Sequence, residues 1–147
     1  MSVSVRQIRE DDRSKWSELF SSYLEFYESS PRDFNLDLVW DRLTSPNPQI
    51  QGLVAEDNGA VIGIVHFHYQ LSTWTDTFDC YLEDLYIEEI ARGKGAARAL
   101  IQAVKELSIQ HECSKLFWIT KESNSMARRL YDKVATLGDF VRYEVKL

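Results

Sequence analysis

One junction constrains this chain more than any other. An apolar run from Phe78 to Ile87 passes through Arg92-Gly93-Lys94-Gly95 into a stripe of Ala97, Leu100, Ile101, Val104 and Leu107. The first stretch has the look of a strand, and the stripe repeats at helical spacing. A second strand-like run, Lys115 to Thr120, follows the helix. Two strands joined through a helix form a crossover, so these two are expected to pair in parallel. The fold class is therefore α/β (α+β), with a mixed central sheet.

The remaining periods complete the order. Val3 to Ile8 alternates as a short strand, and Glu10-Asp11-Asp12 places carboxylates where the positive end of a helix would form. Trp16, Leu19, Phe20, Tyr23 and Tyr27 continue at helical spacing up to Pro31, and Leu36, Val39, Trp40 and Leu43 mark a shorter helix. Ile50 to Glu56 and Val61 to Tyr69 flank Asn58-Gly59, a strong hairpin signal because both turn residues must take positive φ. Trp74 to Thr77 is the bend before the next strand. Ser123-Asn124-Ser125 offers N-cap chemistry to a last helix carrying Ala127, Leu130, Tyr131 and Val134. Gly138 breaks that helix, and Phe140 to Val145 reads as a terminal strand. The expected order is β-α-α-β-β-β-α-β-α-β within one domain spanning residues 1–147.

Composition narrows the function classes. A net charge of −6 argues against a broad nucleic-acid-binding face. Two cysteines and three histidines give neither a disulfide framework nor a metal-ligand spacing. His66 and His68 alternate along a strand and Cys80 is solitary, so none reads as a ligand or nucleophile. No run approaches the ~20 apolar residues of a membrane span, and Met1 to Arg6 lacks a signal-peptide core. The expectation is a cytoplasmic protein with no metal, membrane or nucleic-acid partner.

The glycine turn carries the chemistry. Backbone N–H groups at a helix N-terminus form an anion site, and Gly93 and Gly95 let a phosphate approach closely. Arg92, Lys94 and Arg98 add positive charge, so the implied ligand is a pyrophosphate. Neither a G-x-x-x-x-G-K-S/T loop nor a G-x-G-x-x-G opening an N-terminal βαβ unit is present.

Arg92-Gly93-Lys94-Gly95-Ala96-Ala97 resembles the Gln/Arg-x-x-Gly-x-Gly/Ala signature of the GNAT superfamily of N-acetyltransferases, and it stands where that family has it, after the fourth strand and opening the third helix. The resemblance implies acetyl-CoA as co-substrate, with its pyrophosphate on the backbone of Gly93, Lys94, Gly95, Ala96 and Ala97. It implies a splay between the fourth and fifth strands, with pantetheine along Leu85, Tyr86 and Ile87. Asn124 and Tyr131, seven apart, resemble a second family segment whose Asn touches the coenzyme and whose Tyr faces the thiol. The chain departs from the family's Tyr-x-x-x-Gly-Phe continuation, placing Gly138 and Phe140 later.

Within that resemblance, Tyr131 is the expected proton donor to the leaving thiolate, and the Leu85 N–H the donor to the thioester carbonyl. Tyr81-Leu82-Glu83-Asp84 is similar to the corresponding segment of the polyamine acetyltransferase branch, where this Glu serves the amine. Strand alternation would put residues 81, 83, 85 and 87 on one face, making Glu83 the preferred base, enclosed by aromatic rings. Asp84 or a water chain is the substitute. Tyr23, Tyr27, Glu28, Trp74, Asp76 and Tyr81 are the candidate cation-receiving residues. The reading is an N-acetyltransferase acting on a small amine such as a polyamine or a basic peptide. Amino-acid or antibiotic acetylation and a noncatalytic acyl-CoA-binding module stand as alternatives. A terminal strand able to pair between subunits points to a homodimer.

Overall fold

The computed structural model describes residues 3–29 and 34–147, so Pro31 lies outside the described residues. The elements are β1 (Val3–Gln7), α1 (Arg13–Phe26), α2 (Leu36–Thr44), β2 (Gln51–Asp57), β3 (Ala60–Leu71), β4 (Phe78–Ile87), α3 (Ala96–Gln110), β5 (Cys113–Phe117) and α4 (Ser125–Val134). Among the described residues, the strands form one sheet in the order β1-β2-β3-β4-β5. Every pairing is antiparallel except β4 with β5, which is parallel as the α3 crossover requires.

Strand alternation sorts the core into two layers. Leu53, Ala55, Val65, Phe67 and Leu82 face α3, where Leu100, Ile101 and Val104 close the packing. Val54 and Ile64 face the other way, against Trp16, Leu19, Phe20 and Leu24 of α1 and Trp40 and Leu43 of α2. The β2–β3 hairpin turns through Asn58 (φ 52°) and Gly59 (φ 83°), the positive angles its dipeptide demands.

Three expectations need correction. Glu10–Asp12 forms a 3₁₀ turn, and Asp12 makes no side-chain cap for α1. Its carboxylate is buried and taken by both terminal nitrogens of Arg6 at 2.8 and 2.9 Å and by the Arg9 N–H at 2.7 Å. Those bonds, the Arg6 pair foremost, hold Asp12 below the usual carboxylate range. Second, β5 covers Cys113–Phe117 rather than Lys115 to Thr120, and it is half exposed rather than buried. It is the sheet edge. Third, residues 135–147 contain no strand, although Phe140, Val141, Tyr143 and Val145 have the composition of one. A strand exists only where another strand supplies hydrogen bonds, and no pairing reaches this segment.

One irregularity in the sheet decides the site. His66 pairs with Asp84 and Phe67 pairs with Leu82, so Glu83 is an extra residue in β4. The bulge reverses the alternation of the strand. Cys80 and Leu82 pack on the α3 side before it, and Leu85 and Ile87 pack on that side after it.

Candidate active site

The turn after β4 leaves backbone amides open at the start of a helix. Gly93 (φ 86°) and Gly95 (φ 84°) both occupy the left-handed region, where a side chain would be strained. A Cβ on Gly93 would meet nothing within 4 Å, so its backbone is open to an approaching group. Gly95 is the N-cap of α3 and supplies no side chain to the first turn. The amides of Ala96, Ala97 and Arg98 therefore lack both an intrahelical acceptor and a capping oxygen.

The cations around the turn are placed less simply than expected. Lys94 Nζ reaches Asp57 Oδ2 at 3.0 Å on the neighbouring hairpin. Arg92 Nε donates to the Ile87 carbonyl at 3.1 Å, and its guanidinium lies 5.4 Å from the Tyr86 ring centre. Both side chains brace the turn. Arg98 is exposed on the first turn of α3.

Beside the turn, the sheet opens. The β4–β5 ladder ends at Tyr81 with Phe117, whose rings stack 5.0 Å apart. From Leu82 to Ile87 no β5 residue pairs with β4, so that edge, including Leu85, Tyr86 and Ile87, is left for an extended ligand.

The other side of the opening belongs to α4. Asn124 is its N-cap residue, yet its side chain does not cap the helix and its amide donates to Thr120 Oγ1 at 3.2 Å. A pocket of about 290 Å³ lies between Asn124 and Phe26, with Lys121, Ser123, Ser125 and Met126 completing its lining. Tyr131 packs edge-on to Trp118 with ring centres 5.3 Å apart. Burial, with a smaller contribution from Tyr27, pushes its phenol up to about 12. The hydroxyl thus keeps its proton throughout the neutral range.

The two carboxylates of β4 have different surroundings. Glu83, at the bulge, is not enclosed: its side chain is 47% exposed, with His68 Nε2 at 3.3 Å. It does not share the Leu85 face as plain alternation would have it. Asp84 projects toward α1, where His66 Nδ1 lies 2.8 Å from Asp84 Oδ2. The other ring nitrogen of His66 accepts from Trp16 Nε1 at 2.8 Å. The Tyr23 hydroxyl donates to the Glu83 carbonyl at 3.5 Å, and burial followed by the Asp84 charge pushes its phenol upward. Sequence reasoning missed His66 and Trp16 here. Their only signals were an apolar-face tryptophan and a strand histidine, both ordinary core features.

The remaining candidates divide into two groups. Tyr23, Tyr27 and Tyr86 gather around the opening, with Tyr23 4.9 Å from Tyr27 and 6.4 Å from Tyr86 between ring centres. Tyr81 stacks on Phe117 and lies edge-on to His68, and burial followed by the Glu83 charge raises its phenol, with Arg142 acting the other way. Glu28, exposed with φ 59°, follows the end of α1. Trp74 and Asp76 belong to the β3–β4 connection, and Trp74 is 79% exposed with Lys115 Nζ 5.7 Å from its ring centre. A protein cation already occupies that face. No cluster of three or more His, Cys, Asp or Glu side chains suited to a metal lies among the described residues.

A mixed sheet that parts after its fourth strand, beside an uncapped glycine turn, leaves an open strand edge next to a helix start. Comparison with known proteins gives the family. Residues 7–135 match the acetyltransferase (GNAT) family. The D-amino-acid N-acetyltransferase HPA3 of Saccharomyces cerevisiae is 30% identical over 97% of this chain and 89% of its own length. Thialysine N-epsilon-acetyltransferase of Mus musculus is 27% identical over 88% of this chain and 81% of its own. Aminoglycoside N-acetyltransferase AAC(6')-Iy, solved in complex with CoA, superposes with a TM-score of 0.80 at 18% identity, covering 98% of this chain and 94% of that one. The chain belongs to the GNAT family of N-acetyltransferases, for which acetyl-CoA is the typical acyl donor.

Proposed function

We propose that this enzyme transfers the acetyl group of acetyl-CoA to a primary amine of a small molecule. The observation that carries the reading is the unpaired β4 edge from Leu82 to Ile87, which runs from a ring of tyrosines and carboxylates to the glycine turn. The coenzyme supplies an activated acetyl thioester. Backbone amides of Gly93 to Ala97 suit its pyrophosphate, and the Leu85, Tyr86 and Ile87 edge with Asn124 suits its extended arm. Tyr131 holds a proton for the departing sulfur, and the Leu85 N–H is the proposed donor to the thioester carbonyl.

The acceptor side is acidic and aromatic. Asp84, already engaged by His66 and Tyr23, acts in this reading as a fixed negative charge that anchors the ammonium. Glu83, open to water, takes the amine proton directly or through a water molecule. Two relatives named for amino-acid acceptors favour an amino-acid amine over a polyamine within this class. A panel of D- and L-amino acids, thialysine, polyamines, aminoglycosides and basic peptides, read by thiol release from acetyl-CoA, tests it. Turnover is expected on amino-acid amines first. Tight coenzyme binding with no turnover on any member would instead support a noncatalytic acyl-CoA-binding module.

We also infer a homodimer. Phe140, Val141, Tyr143 and Val145 are 78–93% exposed, and the outer edge of β5 has no strand partner among the described residues. Exposed strand edges and exposed apolar segments satisfy each other when two copies pair. Sedimentation equilibrium should give a dimer for the full chain and a monomer after removal of residues 139–147. A monomeric full chain at assay concentrations removes the idea.

A further inference from the structure

We propose that His66 is a positioning residue that fixes Asp84 as the amine-recognising carboxylate, with Trp16 fixing His66 in turn. The inference rests on the reading of the chain as an amine acetyltransferase. An indole nitrogen can only donate. The Trp16 Nε1–H bond of 2.8 Å therefore makes His66 Nε2 the acceptor and places the ring proton on Nδ1. That proton is donated to Asp84 Oδ2 at 2.8 Å. His66 is 3% exposed and its ring is held edge-on by Phe20 at 5.0 Å, so it has no alternative partner in water.

The surroundings of Asp84 follow from this arrangement. His66 of β3 donates to its carboxylate, and Tyr23 of α1 stands beside it with its hydroxyl donating to the Glu83 carbonyl at 3.5 Å. A carboxylate has about four lone-pair sites, so capacity remains for an incoming ammonium. The Asp84 side chain is 16% exposed, enough to be reached from the opening but not to swing freely. The bulge at Glu83 makes this possible, because without it Asp84 would face α3. Trp16, His66 and Asp84 thus transmit the packing of α1 to the amine subsite.

The test pairs kinetics with a readout that needs no substrate. His66→Leu should raise KM for the preferred amine by about ten- to a hundredfold, the usual range for losing a hydrogen bond to a charged group, while KM for acetyl-CoA stays unchanged. His66→Asn, whose amide N–H can take the place of Nδ1–H, should recover most of the loss. A merely structural role would move both KM values or neither. Imidazole ¹⁵N spectra of the wild type should show a protonated Nδ1 and a bare Nε2, with that preference lost in Trp16→Phe. Unchanged amine KM in a folded His66→Leu protein overturns the proposal, as does an Nε2–H tautomer in the wild type. Failure of the wild type on every amine overturns the functional reading instead, and the ¹⁵N pattern still decides whether His66 is set by Trp16 to hold Asp84.

Discussion

Tyr131→Phe is expected to lower kcat by ~10²-fold while leaving KM for acetyl-CoA unchanged, within the usual range for losing a positioned proton donor. The substitution keeps the ring against Trp118 and removes only the hydroxyl. Burial places that phenol at about 12, whereas the conjugate acid of an ordinary thiolate lies near 8.5. Full transfer of the proton in the free enzyme's environment would thus run uphill by roughly 3.5 units, or about 5 kcal/mol. The hydroxyl accordingly keeps its proton and acts as a hydrogen-bond donor that strengthens as charge develops on sulfur. The sign is clear: raising this pKa keeps the proton on, so kcat should show no fall due to Tyr131 up to about pH 10. Unchanged kcat in the folded variant, on an amine the wild type acetylates, would sink the assignment.

Trp16→Ala is expected to destabilise the fold by about 3–5 kcal/mol, the range for truncating a large buried aromatic. Trp16 is 1% exposed, with ring centres 5.1 Å from Trp40 and 5.4 Å from Phe20. It ties α1 to α2 and both to the sheet. The same change removes the indole donor to His66 Nε2, leaving a buried acceptor without that partner. Against a total stability of about 5–15 kcal/mol for an ordinary domain, this is a large fraction. Urea unfolding followed by tryptophan fluorescence measures it as a lower midpoint at similar slope. A loss below about 1 kcal/mol would mean that α1 and α2 hold together without this ring.

The features legible in the chain are those set by neighbours in sequence. Asn58-Gly59 makes its hairpin because only residues tolerant of positive φ close so short a turn. Gly93 and Gly95 open α3 for the same reason, and Ala97 to Leu107 declares its buried face by spacing. The parallel β4–β5 pair follows from the crossover between them.

Other features depended on partners far along the chain. The terminal segment has strand composition, yet without a pairing partner its backbone groups form no ladder. Asp12 sits where a helix cap belongs, but its buried carboxylate is taken by the Arg6 guanidinium rather than by the α1 amides. The bulge at Glu83 depends on how β3 and β4 register, and shifting by one residue turns every later side chain to the opposite face. Alternation therefore misplaced Glu83 relative to Leu85. Trp16 and His66 are fifty residues apart, and His66 and Asp84 eighteen, so their hydrogen bonds leave no local trace. By itself the sequence determined the glycine turn that opens α3 and the order of elements around it, because backbone sterics and hydrophobic period act locally. Only the tertiary structure decided where β4 leaves β5 and which of its carboxylates is held toward α1, because register and packing are properties of contacts between distant segments.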